Sequence, residues 1–380
     1  MATPSKPRIL VTGATGKTGG QVAAHLLAAG YPVRAYVRRE DRRSEKLKAA
    51  GAEIAVGDLA DPQALLDAMR SVQRGFFLPP FDPYMIQCAS AFAIAAHEAR
   101  LESTVVLSQW LANPAHPALA TRQHWLADRL FAMLPDTALT IVNPGFFADL
   151  PYMILLKYAA HMGVLPFPAR GSSRNAPPSV DDIARVAVGA LTDPAQHAGK
   201  RYRPTGPDML SVTEMAQIMG KVLGRTVRHV QMPLWMFYKA ARMDGIDRFL
   251  LSQLAAYMQD HDRGAFEMGG PTSHVLDVTG RLPESFEAIT RRYAAQPQAQ
   301  RTAGNFIKTF AGFMSVPMRP GINPRRFADT LWMPQPNRPL LSADSALWRE
   351  EHGVALNNGS ASAKANAIHP TPSERVAQRV

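Results

Sequence analysis

The chain has 380 residues, of which 46% are hydrophobic, and a net charge of +11. That length can bury a sizeable core in one large or two modest domains, and the composition excludes a disordered chain. Its lone cysteine, Cys88, excludes a disulfide framework and fits a reducing compartment.

The first apolar run, Ile9-Leu10-Val11, leads into Thr12-Gly13-Ala14-Thr15-Gly16-Lys17-Thr18-Gly19-Gly20 and then an amphipathic stretch through Val22, Leu26 and Leu27. This order predicts strand, glycine turn, helix. Gly13 permits a sharp turn and Gly16 lets backbone N–H groups reach a pyrophosphate. Gly19 or Gly20 lets the helix sit close to the strand, whose following helix N-terminus then faces the phosphates. Thr15, Lys17 and Thr18 on the same turn are assigned to the ligand with the glycines. A P-loop is excluded, because it needs four residues between its glycines before the Lys-Ser/Thr pair and this turn has only Ala14 and Thr15.

Further short apolar strands are predicted at Val33–Val37, Glu53–Val56, Gly75–Leu78, Thr104–Leu107 and Leu139–Val142. Helices are predicted between them at Gly19–Ala29, Ser44–Ala49, Pro62–Met69, Tyr84–Arg100 and Pro117–Leu134. Such alternation gives an α/β, doubly wound parallel sheet whose ligands bind beyond the carboxyl ends of its strands. Cys88 falls in an apolar helical run and is expected to pack rather than react.

The second strand is followed by Arg38-Arg39, where a site for NAD places an acidic residue. Arginine there can pair with a 2′-phosphate through bidentate bonds, so NADP(H) is expected over NAD(H). The alternative is a solvated loop of mixed charge with Glu40 and Asp41. After the third strand, Asp58 and Leu59 fit a loop at the adenine edge, and a plain helix start capped by Asp61 competes with that role.

Beyond Pro144 the segments become longer, helical and rich in methionine (Met209, Met215, Met219, Met232, Met236, Met243, Met258, Met268). Asp181-Asp182 is expected to open a helix through Leu191, Ser211 and Glu214 have capping-box spacing, and Met232 to Gln259 reads as one long or two abutting helices. Residues 1–150 are thus read as the nucleotide-binding domain. Residues 151–294 form a smaller, mostly helical lid, within which the chain can return to the sheet. Gln296–Gln300 reads as a linker into a C-terminal extension over 295–355, and the composition of 356–380 predicts disorder. Phe306, Phe310, Phe313, Phe327, Trp332 and Trp348 imply that the middle of the extension docks, on its own chain or in a homodimer.

The basic residues are scattered, with doublets such as Arg291-Arg292 and Arg325-Arg326 and no aromatic-interleaved stripe, so specific nucleic-acid binding is not expected. No apolar run is long enough to span a membrane and the first residues lack a signal-peptide core, so the expectation is a cytoplasmic protein without a membrane partner. The histidines are scattered or, at His261-Asp262, a solvated helix end, so no metal site is expected.

The motifs Val11-Thr12-Gly13-Ala14-Thr15-Gly16-x-x-Gly19, Val33-Arg34-Ala35-x-Val37-Arg38-Arg39, Gly57-Asp58-Leu59, Pro144-Gly145-Phe146-Phe147 and Val180-Asp181-Asp182-Ile183-Ala184 together resemble the NmrA-like group of atypical short-chain dehydrogenases/reductases. The resemblance runs from about Pro7 to Ala294. It implies a Rossmann-like fold, NADP(H) across the sheet and a pocket between sheet and lid. It further implies that the loop at Leu78-Pro79 runs along the cofactor and that Pro144, Gly145, Phe146 and Phe147 border the nicotinamide. The group includes quinone and dye reductases, and redox sensors that bind cofactor without turnover.

Ordinary short-chain enzymes carry Tyr-x-x-x-Lys on the helix after the fifth strand. Here that helix reads Thr121-Arg122-Gln123-His124-Trp125-Leu126-Ala127-Asp128, with His124 and Asp128 at the same spacing and Ser108 at the strand end. His124 is a candidate proton donor near neutral pH with Asp128 fixing its tautomer, or the two are a surface pair shaping the pocket floor. The expected activity is NADPH-dependent hydride transfer to an apolar conjugated acceptor (quinone, enone or dye) under the methionine-rich lid. The alternative is a nonenzymatic NADP(H) sensor acting through a protein partner.

Overall fold

The computed structural model describes residues 6–354. Strands β1 (Ile9–Thr12), β2 (Val33–Val37), β3 (Glu53–Val56), β4 (Arg74–Phe77), β5 (Ser103–Leu107) and β6 (Ala138–Val142) follow the sequence expectation to within a residue at either end. The chain then leaves the sheet through β7 (Val164–Phe167) and β8 (Arg174–Asn175), and returns as β9 (Arg201–Tyr202), which pairs with β6. The sheet is parallel, in the order β3-β2-β1-β4-β5-β6-β9.

Its strands are apolar almost throughout because both faces are covered. Helices α1 (Lys17–Ala28), α2 (Arg42–Ala49), α3 (Pro62–Ala68), α4 (Met85–Glu98) and α5 (Leu119–Phe131) connect the strands; α3, α4 and α5 cover one face around Phe77, Phe92 and Phe131. The other face is covered by α1 and by a helix from later in the chain. Following α6 (Met153–Met162), that helix, α7 (Val180–Thr192), packs beside α1 and buries Ile183, Val186 and Ala187. It starts before the acidic pair, at a cap in which Ser179 Oγ accepts from the Asp182 amide at 3.0 Å. A short α8 (Pro194–His197) precedes β9.

The lid has its own core. Strand β10 (Leu210–Ser211) leads into α9 (Val212–Leu223), headed by the Ser211–Glu214 capping box, and β11 (Arg228–Gln231) pairs with β7. The segment 232–259 is two helices, α10 (Leu234–Met243) and α11 (Arg248–Asp262), parted at Gly245 (φ +78°). Met215, Met219, Met232 and Met258 are buried in this core beside Leu156 and Tyr152. After α12 (His274–Thr279) and α13 (Phe286–Ala294), the linker expected at 296–300 is instead a pinned turn: Ala299 is buried and His161 Nε2 donates to the Gln298 carbonyl at 3.0 Å.

The extension folds back on its own chain. Helix α14 (Ala303–Ser315) lies on α6, and α15 (Pro324–Thr330) on α11. Before α16 (Ala346–Glu351), the Leu340 amide donates to Ala115 O at 2.8 Å and Ser342 Oγ to Leu111 O at 2.7 Å. Trp348 is buried against Trp110 and donates from Nε1 to its carbonyl at 2.8 Å. Docking thus holds for Trp348, Phe313 and Phe327, while Phe306, Phe310 and Trp332 stay exposed. The stretch 356–380 lies outside the described residues.

Candidate functional site

The glycine turn is built by contacts that no side chain could share. Gly13 has φ +63°, and its carbonyl accepts from the Gly16 amide at 2.8 Å. A Cβ on Gly19 would stand 2.4 Å from that carbonyl oxygen, whereas one on Gly20 would lie 3.2 Å from Ala14 O. Gly19 is therefore the residue that seats α1 on β1. Gly16 caps α1 without a side-chain acceptor, and the first turn holds no acidic residue. Its leading N–H groups are open to an anion. Lys17 is exposed beside them, Thr15 lines the adjoining cleft, and Thr18 is buried underneath.

That cleft, of about 600 Å³, runs from Gly13 and Thr15 to Arg38, Arg39, Asp58 and Leu59. Arg38 and Arg39 are exposed, and neither side chain bonds another group among the described residues. Asp41 is occupied instead. It caps α2 through the Arg43 amide at 2.8 Å, and the Arg43 guanidinium, 2.6 Å away, holds its carboxyl down at about 2. Asp61 caps α3 through the amides of Gln63 and Ala64, while Asp58, whose carboxylate accepts from the Ala60 amide at 2.9 Å, and Leu59 stand on the cleft wall. Tyr36 Oη donates to Asp58 O at 2.8 Å. Cys88 is buried, and burial pushes its thiol up to about 11.

At the other end of the glycine turn, the Leu78 amide donates to Thr12 Oγ1 at 2.8 Å, and the Leu78 side chain covers Gly13. Pro79 follows, half-buried. Pro144 and Gly145 are buried, with the Gly145 amide held by Pro204 O at 3.1 Å. Phe147 turns into the core shared with α1 and α7. Phe146 turns the opposite way, with its ring 5.2 Å from Phe266 and 5.8 Å from Tyr152.

Phe146 thereby forms one wall of an apolar pocket of about 230 Å³, together with Phe81, Phe167, Phe237, Leu254 and Tyr257. Tyr257, on α11, donates from Oη to Gln109 Oε1 at 2.6 Å, tying the pocket to the loop after β5. Sequence reasoning missed Tyr257 and Phe237, since the lid had been marked only by its methionines. Met215, Met219, Met232 and Met258 form the lid's core with Met236 packed against it, Met243 is exposed, Met268 packs on the cluster of Trp110 and Trp348, and none of the lid's methionines lines this pocket.

The readings of His124 and Asp128 change most. Both are buried, so they are no surface pair. The Asp128 carboxylate does not face His124: Oδ2 accepts from Arg201 Nη1 at 2.6 Å and from Asn143 Nδ2 at 3.4 Å, which clamps α5 to β6 and β9. Burial pushes the Asp128 carboxyl up, and the Arg201 guanidinium opposes that. Burial also lowers His124 to about 3, so it is a neutral imidazole at neutral pH and not an acid poised there. His124 Nδ1, Ser108 Oγ and Asp128 Oδ1 are enclosed without a hydrogen-bond partner; Ser108 lies near enough to the carboxylate to favour its charge but completes no bond of ordinary geometry. His261, expected in solvent, is also buried, with Nε2 3.2 Å from Tyr152 Oη, and burial lowers it to about 4.

An uncapped helix N-terminus over a glycine cradle, unpaired cations down the cleft and orphaned polar atoms at the far strand end fit a dinucleotide bound across the sheet. Fold and site define a Rossmann-type nucleotide-binding protein. A profile of the NmrA-like family matches residues 5–126. Over 295 residues the chain is 32% identical to an NAD(P)H azoreductase of Xenophilus azovorans, covering 76% of this chain and 98% of that one. An NADPH-dependent quinone oxidoreductase of Escherichia coli, solved with NADPH, matches with a TM-score of 0.66 at 21% identity, over 75% of this chain and 99% of that one. Triphenylmethane reductase of Citrobacter sp., solved with NADP(H), matches at 0.65 and 22% identity, again over 75% and 99%. At such identities the two structures speak for the fold alone. The chain belongs to the NmrA-like family. It is an oxidoreductase that uses a nicotinamide dinucleotide.

Proposed function

We propose that the protein transfers hydride from NADPH to an apolar, conjugated acceptor such as a quinone, enone or dye. The observation that carries this is the pocket beside Phe146, whose wall is almost wholly aromatic and aliphatic. Such a wall favours flat apolar molecules and offers few partners to a polyol or a sugar. A bound nicotinamide supplies the hydride. The chain's own part is to hold the acceptor between Phe146 and the lid and to exclude water from it.

Proton donation is a minor demand here, because the acceptor carbon is already electrophilic and solvent can protonate the product. That suits a helix with neither tyrosine nor lysine at the usual places. Ser108 Oγ, after β5, and His124 Nδ1, on α5, are among the enclosed polar atoms without a partner and are assigned to hydrogen bonding with the ligand. Arg38 and Arg39 are assigned to the 2′-phosphate, with Asp41 unavailable to compete for a ribose hydroxyl. The extension needs no second subunit to cover Trp110, since Trp348 of the same chain does so. The lone buried Cys88 supports a cytoplasmic setting.

The test is NADPH consumption with a panel of quinones, enones and dyes. Turnover with flat apolar acceptors is expected, with NADPH preferred over NADH and the preference lost in Arg38→Ala/Arg39→Ala. Tight NADPH binding without turnover on any acceptor would sink the reductase reading in favour of a sensor. An unchanged cofactor preference in the double variant would remove the phosphate assignment.

A further inference from the structure

Helix α14 is amphipathic in the reverse of the usual sense. The side it lays on the lid is small and polar: Asn305, Thr309 and Gly312 face α6 across a gap of about 680 Å³, and Phe313 is the large apolar residue that packs inward, 5.7 Å ring to ring from Tyr158. The side left in solvent carries Phe306, Ile307, Phe310 and Met314, which are 45%, 64%, 45% and 57% exposed. Beyond the helix, Met318 is 81% and Trp332 is 91% exposed. An exposed apolar helix face of this kind marks an interaction site.

The charges that follow it in the chain choose the partner. Arg319, Arg325, Arg326 and Arg338 follow in the same stretch of chain, all exposed, against a single carboxylate at Asp329, while Lys308 borders the inner gap. None of these cations has an ion pair among the described residues. Apolar and aromatic side chains interleaved with unpaired cations match an anionic lipid surface, where rings enter the interface and cations meet headgroups. A second copy of the chain fits poorly, because a two-fold contact would set the same cations against one another on a protein already at +11. Residues 355–380 carry Lys364, Arg375 and Arg379 against Glu374 and no Phe, Tyr or Trp, so their composition does not complement the face either.

The position adds a purpose. The gap behind α14 shares Ile154, Tyr158 and Asp244 with the wall of the apolar pocket, and the pocket residues Leu150 and Leu250 are themselves 38% and 37% exposed. We propose that α14 and the segment through Trp332 attach the protein to an anionic bilayer, from which the pocket takes its apolar acceptor. This departs from the expectation of no membrane partner, which rested on the lack of a spanning segment; no described helix is long and apolar enough to cross. The source of the acceptor rests on the reductase reading, while the attachment does not.

The test is co-sedimentation of the full chain with phosphatidylcholine vesicles and with vesicles containing phosphatidylglycerol. Binding to the anionic vesicles that weakens with salt is expected. Phe306→Ser/Phe310→Ser and Arg319→Glu/Arg325→Glu/Arg326→Glu should each cut partitioning at least about tenfold, with unchanged thermal unfolding and unchanged turnover of a water-soluble dye. No binding to anionic vesicles, or binding indifferent to both variants, overturns the proposal. So does a stable dimer in solution that Phe306→Ser/Phe310→Ser dissolves, which would assign the face to a second copy. Sedimentation without turnover defeats only the reductase reading, and turnover without sedimentation only the membrane reading.

Discussion

Gly19→Ala is the sharpest probe of the cofactor cradle. The added methyl would sit 2.4 Å from Gly13 O, 2.6 Å from Gly13 C and 2.8 Å from Thr12 O. All three are backbone atoms, so α1 and β1 must separate by about 1 Å to restore ordinary contact, and overpacking of this kind costs about 1–3 kcal/mol. The same movement carries the leading N–H groups of α1 away from the Gly13 turn. Cofactor affinity should therefore fall by about ten- to a hundredfold, since each 1.4 kcal/mol is a factor of ten. Gly20→Ala is the control: its methyl would stand 3.2 Å from a single carbonyl, which a shift of a few tenths of an ångström relieves. NADPH titration followed by nicotinamide fluorescence, with chemical denaturation of each variant, reads both effects. Equal affinities for the two variants would refute the assignment of Gly19 as the packing glycine.

His124 is held neutral by burial, with its pKa near 3 against 6.5 for an ordinary histidine. The unfolded chain therefore binds one more proton between those values, and stability falls as pH drops through that window. Its share of the slope approaches 1.4 kcal/mol per pH unit. Denaturation at pH 7 and pH 5 should show His124→Gln losing about 2 kcal/mol less than the parent; an identical loss would mean that the ring is not held neutral. Trp348→Ala empties a fully buried site and removes the bond to Trp110 O, a loss of about 3–5 kcal/mol by melting. A change under 0.5 kcal/mol would show that the extension is not docked in solution. Phe81→Ala opens one pocket wall beside Phe249. It should raise KM for aromatic acceptors about tenfold with kcat little changed, and an unaltered KM would place the acceptor elsewhere.

The parts of the site legible in the sequence were those set by local chemistry. Gly13 shows through the turn it permits, Arg38 and Arg39 through their place after a strand, and β1 to β6 through their apolar runs, whereas the choice of Gly19 over Gly20 needed the packing of α1 on β1. Strand β9 escaped because two residues carry no period; Arg201 and Tyr202 are a strand only by pairing with Ile141 and Val142. Tyr257 and Phe237 escaped for a related reason, since a pocket wall depends on which helices the fold brings together. His124 and Asp128 had the right spacing, but spacing does not report burial. Phe306, Phe310 and Phe313 were read alike as docking residues, and only packing against α6 shows that Phe313 turns inward while the other two face out.

Asp128 follows His124 by one helical turn, and its partners tie it to the sheet. One oxygen holds both Arg201 and Asn143, and Arg201 also donates to Asn143 Oδ1 at 2.8 Å, so α5, β6 and β9 meet at one carboxylate. Removing that charge leaves Arg201 partly buried without its counterion. Asp128→Asn should cost about 1–3 kcal/mol of stability, less than a fully enclosed pair because the Arg201 side chain keeps 27% of its exposure. A clamp predicts that the folded variant keeps kcat for a quinone-like acceptor within about threefold, with no new pH dependence. A proton-relay role predicts the reverse, a loss of about 100-fold or more in kcat at little cost to stability. The two outcomes separate on one plot of kcat against unfolding free energy. If kcat collapses while stability holds, the short-chain acid chemistry has been moved to new residues and not abandoned.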